Sequence, residues 1–209
     1  SRGQITKRWF AFHESQFYHA ARHSTKKLKM HPKKEYVKFR RMDFKKYLEV
    51  SANQVEQILD QILSEFLNEV KKDKQSLPIG KPKLIPFALG LINSCKGGKR
   101  IRGSLVKLGY ELVKPLDVEI LRVGAAVEIL HSAILIHDDV IDQSPLRRGQ
   151  PSLYKALSRP KDVRVSGDHY GVSQAIAIGD IGLYLPIKII SNTNFDDDLK
   201  IKALSHLSA

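Results

Sequence analysis

A chain of 209 residues with 42% hydrophobic residues can enclose one domain's core, and its 13 glycines and 9 prolines exclude a collagen-like or low-complexity chain. The single cysteine, Cys95, excludes an intrachain disulfide; it reads as a small packing residue and points to a reducing, cytoplasmic compartment. The net charge of +13 suggests nucleic acid until its distribution is examined. Residues 1–41 carry twelve Lys or Arg against two acids, whereas the other 168 residues carry 23 basic and 20 acidic residues. The excess therefore belongs to one segment, which argues against a nucleic-acid-binding fold for the remainder.

Residues 1–41 lack a steady period, and basic runs separate Trp9, Phe10, Phe12, Phe17 and Tyr18. They read as a flexible arm: a solvated tail, upstream sequence foreign to the domain, or a tether to nucleic acid or an anionic membrane. No initiator methionine stands at position 1, and Met42 opens "MDFKKYLEV" in the manner of a start, so the domain is taken as 42–209. From there the period is helical, with Val55, Ile58, Leu59, Ile62, Leu63, Phe66, Leu67 and Val70 on one face. "SLPIGKP" ends this helix, a second is expected over 83–95, and "KGGKR" separates it from a third over 99–113.

A fourth, very apolar helix is expected over 117–143 with Asp117 as N-cap. Its stretch 120–136 is interrupted by Arg122, Glu128 and His131, short of the roughly 18 uninterrupted apolar residues of a membrane span. Residues 144–168 read as loop, 170–191 as another apolar helix, and a last helix begins near Asp196. Asp196, Asp197 and Asp198 read as capping acids at that helix start rather than as a metal site. The fold class is all-α. The nearly all-round apolar fourth helix demands neighbours on every side, so the bundle is expected to continue beyond Ala209.

The chemistry concentrates in "HDDVIDQSPLRRGQPS". Asp138 and Asp142 are helical neighbours at i and i+4, and His131 lies two turns earlier on the same face. Asp139 points about 100° away and can bend toward the same mouth. A helix C-terminus disfavours carboxylates, and two of them 4 Å apart repel by roughly 4 kcal/mol at intermediate dielectric. A hard divalent cation such as Mg2+, bridging to a diphosphate, would relieve this. Arg147 and Arg148 follow at once, and "KGGKRIRG" adds Lys99, Arg100 and Arg102 behind two glycines whose amides can approach an anion. On a helical reading Lys99 and Arg102 share a face. Should the acidic and basic clusters face unrelated surfaces with no common cavity, an enzymatic reading fails.

These motifs resemble the trans-isoprenyl diphosphate synthases, or polyprenyl synthetases: "GGKRIRG", "HDDVIDQSPLRRGQPS" and "AIAIGD" at 175–180 occur in that family's order and approximate spacing. The resemblance covers Met42 to about Ala209 and implies an isoprenoid synthase-type helical bundle, here incomplete at its C-terminus. It implies that Asp138, Asp139 and Asp142 hold Mg2+ on the diphosphate of an allylic substrate, which Arg147 contacts. Lys99, Arg102, His131 and Arg148 would bind the diphosphate of isopentenyl diphosphate. The implied reaction ionises the allylic C–O bond to a carbocation, which the double bond of isopentenyl diphosphate attacks. Val127, Leu130, Ala133 and Ile134 would wall the prenyl tunnel. The residues at the length-setting positions, Ala133 and Ile134, imply a product longer than fifteen carbons, geranylgeranyl or beyond, which Ala133→Phe should shorten. The resemblance further implies a homodimer when full length, and a second aspartate-rich motif, which this chain lacks, so the chain alone is expected to be poorly active. A terpene cyclase would have no use for Lys99 and Arg102. Two competing functions are a non-catalytic subunit of a heteromeric synthase and a protein acting through residues 1–41 on nucleic acid or membrane.

Overall fold

In a computed structural model, residues 43–72, 84–158 and 167–208 are described; the basic arm lies outside them. Helix α1 (Phe44–Lys72) starts at Asp43, whose carboxylate accepts the Lys45 N–H at 2.9 Å, and ends on Lys71 and Lys72, which suit the negative end of the dipole. Its expected face is the buried one, with Val55, Leu59, Ile62 and Leu63 inside. Helix α2 (Leu84–Cys95) closes on Cys95, which is buried as expected. Helix α3 (Ile101–Glu111) begins two residues later than its sequence suggests, because Arg100 adopts a left-handed conformation (φ 48°) that ends the preceding turn.

Helix α4 (Val118–Ile141) opens with Asp117 accepting the Glu119 N–H at 3.0 Å, and its C-cap is Asp142. The segment read as loop contains a small hairpin, β1 (Leu146–Arg147) with β2 (Gln150–Pro151), then a short helix α5 (Leu153–Leu157). Both turn residues, Arg148 (φ 51°) and Gly149 (φ 76°), are left-handed, the requirement of a two-residue type I′ turn. The ladder pairs Leu146 with Pro151 and Arg147 with Gln150. Helix α6 (Gly167–Ser191) continues through Pro186, and α7 (Asp197–Leu207) follows. Asp196 occupies the N-cap of α7 without a side-chain cap bond; the acids there suit the helix dipole, and Asp197 also accepts from Lys200 Nζ at 3.1 Å.

Helix α4 is the centre of the bundle. It packs most extensively on α6 and also meets α1, α2 and α3. Small residues bring the backbones together. A Cβ built on Gly103 of α3 would stand 3.0 Å from the Gly124 carbonyl of α4, and one on Gly182 of α6 only 2.7 Å from the Ala133 Cβ. Leu59, Leu91, Ile129, Ile178 and Ile190 fill the core between these crossings. Val118–Ile141 and Asp168–Ser191 are long and apolar enough, by length and composition, to cross a membrane, so Arg122, Glu128 and His131 do not disqualify α4 on that count. Here both helices bury about half of that length, 56% and 44%, against each other and their neighbours. Among the described residues the architecture is all-α apart from the hairpin.

Candidate active site

The C-terminal turn of α4 carries the three aspartates, and the structure divides them. Asp138 and Asp142 lie one turn apart, the Asp142 N–H bonding the Asp138 carbonyl at 2.8 Å. Asp138 is half-buried and Asp142 exposed; among the described residues neither carboxylate has a hydrogen-bond or ion-pair partner. Asp139 is buried and turned to Arg147, whose Nε lies 3.0 Å from both carboxylate oxygens, with Nη2 closing a bidentate pair. The three aspartates therefore do not stand as one ligand set: no group of three His, Cys, Asp or Glu side chains suited to a metal occurs among the described residues. The physical reason is the repulsion that three carboxylates at a helix C-terminus experience, which Arg147 relieves at Asp139. The bond to Asp139 raises the Arg147 pKa, and the charges of Asp138 and Asp142 act in the same sense, so this arginine sits in the field of all three.

The hairpin sends its two arginines to different partners. Arg148 donates from Nη1 to the Lys96 carbonyl at 2.6 Å, and its guanidinium lies against Gly97 and Gly98. Those glycines have φ of 73° and 108°, a backbone path that side chains rarely follow. Beyond them Lys99 and Arg102 are exposed, with no ion pair among the described residues. Lys99 precedes α3, so the two basic residues flank the turn rather than share a helical face. The α3 N-terminus is also less open to an external anion than expected. Buried Glu128 of α4 accepts the Gly103 N–H at 2.9 Å, so the protein's own carboxylate fills that position.

His131 joins the clusters. Partial burial lowers its pKa first, Arg102 and then Arg148 lower it further, and Glu128 and Asp138 oppose them. The imidazole thus lies within electrostatic reach of the glycine turn, the hairpin and the aspartates. A cavity of about 390 Å³ is lined by Lys96, Ser132, Asp139, Arg147, Arg148 and Gln150, among others, so Asp139 and both hairpin arginines border one cavity, whereas Asp138, Asp142, Lys99, Arg102 and His131 are not among its lining residues.

The tunnel-wall residues divide as well. Leu130 lines an apolar groove of about 380 Å³ with Leu183, Ile187 and Leu204, and Ile134 is 44% exposed. Ala133 is fully buried at the α4–α6 crossing, in contact range of Gly182, and lines neither of these two spaces. Its replacement by Phe would overpack that crossing, so the expected chain-length test at Ala133 has no clean meaning here. Three features have no sequence signal. These are the ion pair between Arg100 and Glu56, the Glu128 cap, and the pairing of His137 with Asp180 (3.5 Å), all joining residues distant in the chain.

The polyprenyl synthetase family profile matches residues 90–208, more than half of the chain. A short chain isoprenyl diphosphate synthase of Methanocaldococcus jannaschii is 37% identical over 111 residues, 53% of this chain and 31% of that protein. A crystal structure of an FPP/GFPP synthase from Zymomonas mobilis superposes with a TM-score of 0.58 at 26% identity, covering 77% of this chain and 51% of that one. A geranylgeranyl pyrophosphate synthase of Corynebacterium glutamicum, crystallised with isoprenyl diphosphate and magnesium, gives a TM-score of 0.54 at 26% identity, covering 75% and 43%. The chain thus spans about a third of the first relative and about half of these solved ones. With the profile covering the basic glycine turn, the aspartate-bearing helix end and the arginine hairpin, the chain belongs to the polyprenyl synthetase family.

Proposed function

We propose that this chain contributes the first half of a prenyltransferase site that condenses isopentenyl diphosphate with an allylic prenyl diphosphate, in a magnesium-dependent reaction through an allylic carbocation. The observation that carries this reading is the convergence of Arg147 and Arg148 on one cavity, one bound to the aspartate turn and the other to the glycine turn. Two diphosphates require two cationic sites side by side, close enough for their carbon skeletons to meet.

Asp138 and Asp142 suit magnesium. They offer hard oxygen donors, have no protein partner among the described residues, and suffice for an ion that keeps several waters. When bound, magnesium would supply neutralising charge at the departing diphosphate. Asp139 holds the Arg147 guanidinium in a fixed orientation, from which its free edge meets allylic diphosphate oxygens. Lys99, Arg102 and Arg148 take the second diphosphate, and His131, kept neutral by burial and by its cationic neighbours, donates a hydrogen bond there. The apolar groove past Leu130 and the exposed Ile134 accommodate the prenyl chain. With no aromatic at the exposed position 134, a product longer than fifteen carbons follows.

The lone thiol at Cys95 is consistent with a reducing cytoplasmic setting, and the same reading includes a homodimer, which light scattering checks. The test of activity is incorporation of labelled isopentenyl diphosphate into extractable prenyl products. The chain is assayed alone and mixed with a catalytic homologue, with an allylic diphosphate and with or without magnesium. Magnesium-dependent product supports the proposal, and product only in the mixture assigns the chain to a subunit role. No product in either case, together with no binding of inorganic pyrophosphate, overturns it.

A further inference from the structure

Five cations crowd the glycine turn: Lys96, Lys99, Arg100, Arg102 and, from the hairpin, Arg148. Only one of them is withdrawn from solvent. Arg100 is buried, its guanidinium bonded through Nε and Nη2 to Glu56 on α1 and through Nη2 to the Cys95 carbonyl at 2.7 Å. Glu56 is the one acidic side chain paired with a member of this group among the described residues. Arg100 is also the residue whose left-handed backbone separates the turn from α3, although no side-chain cap holds that position. A non-glycine residue stays in that conformation only where its surroundings over-determine it. Here the surroundings are Glu56 and the last carbonyl of α2. The Ser104 hydroxyl, bonded to the Arg100 carbonyl at 2.7 Å, fastens the other side.

We propose that Glu56 is a positioning residue for the isopentenyl-side diphosphate subsite. Through Arg100 it ties the end of α2, the Gly97–Gly98 turn and the start of α3 to α1, so that Lys99 and Arg102 are presented on either side of a fixed corner. It also neutralises the one cation directed inward, leaving the outward ones to act on the ligand. This inference rests on the reading of the preceding subsection, and it assigns a role to a residue 40 positions or more from any of the three signature motifs.

The test uses the 209-residue chain and inorganic pyrophosphate without magnesium, followed by the Gly97, Gly98 and Lys99 amide resonances. The unaltered chain is expected to show saturable shifts, and Glu56→Ala to weaken the affinity about tenfold. Two further readouts separate positioning from general loosening. Core methyl resonances of Leu91 and Ile129 should stay in place, and broadening of the Asp138 and Asp142 amides by manganese should keep its midpoint. Arg100→Lys, which keeps the charge but not the two-pronged bond, should weaken pyrophosphate binding in the same direction. Unchanged affinity in Glu56→Ala overturns the proposal, as does a parallel loss of pyrophosphate and manganese binding. Should Glu56→Ala fail to fold, Arg100→Lys decides, and unchanged affinity there overturns it too. Absence of any saturable shift in the unaltered chain is a different result, since it overturns the diphosphate reading itself.

Discussion

At the scale of the residue, partner choice decides which charges remain available. The pairing of Asp138 with Asp142 is legible from their spacing alone, and so is their need for a cation. That Asp139 takes Arg147, and Arg100 takes Glu56, is not legible, because those contacts depend on how α1, α4 and the hairpin meet. The environments of single groups lead to two predictions. Burial pushes the Cys95 thiol up to about 11, so iodoacetamide should leave the folded chain unlabelled at neutral pH and modify it fully in denaturant, read by intact mass. For His131 the folded pKa lies below the ordinary 6.5, so folding favours the neutral ring. Its contribution is present above pH 6.5 and declines as pH falls from there toward the lower folded value, where the folded ring is charged as well. Thermal melts taken downward from pH 7 should therefore show a falling midpoint, and His131→Gln should flatten that part of the profile.

At the scale of the element, long amphipathic periods are readable and short irregular pieces are not. The buried stripe of α1 and the Asp117 cap of α4 follow from spacing and side-chain chemistry. The hairpin escapes a sequence reading because strands of two residues leave no alternation to detect, and because an Arg-Gly turn lacks the Asn or Asp that usually marks a type I′ corner. The onset of α3 departs from expectation because backbone torsion at Arg100, not helix propensity, ends the turn. The α4–α6 crossing corrects the tunnel reading of Ala133. Ala133→Phe should destabilise the fold by about 1–3 kcal/mol in urea titrations, since the ring would enter the space held open by Gly182. Ile134→Phe, at a 44% exposed position, should leave the urea midpoint nearly unchanged and shorten the prenyl product if that face borders the growing chain. A product profile insensitive to Ile134→Phe would remove residue 134 from the wall.

At the scale of the whole molecule, the all-α class is legible because each long segment keeps one period, and the central place of α4 is legible because it is apolar on nearly every side. The sequence offers Arg122, Glu128 and His131 only as interruptions of a membrane span; in the fold two of them serve the interior and the site, with Glu128 capping α3 and His131 between the clusters. How Asp139 and the two hairpin arginines come to border one cavity is not legible, since it depends on crossings set by glycine contacts such as Gly103–Gly124. The core should behave as one cooperative unit. Ile129→Ala, at a fully buried position on α4, should lower unfolding stability by about 2–5 kcal/mol, measured by denaturant titration.

The two-residue corner of the hairpin has a mechanical implication. Arg147 is moored to one helix and Arg148, the next residue, to the loop after another, with no spare backbone between them. The pair works as a rigid yoke: a shift that relaxes one tether strains the other. Retuning either grip must therefore proceed by exchanging side chains, because lengthening the corner by even one residue would unhitch both.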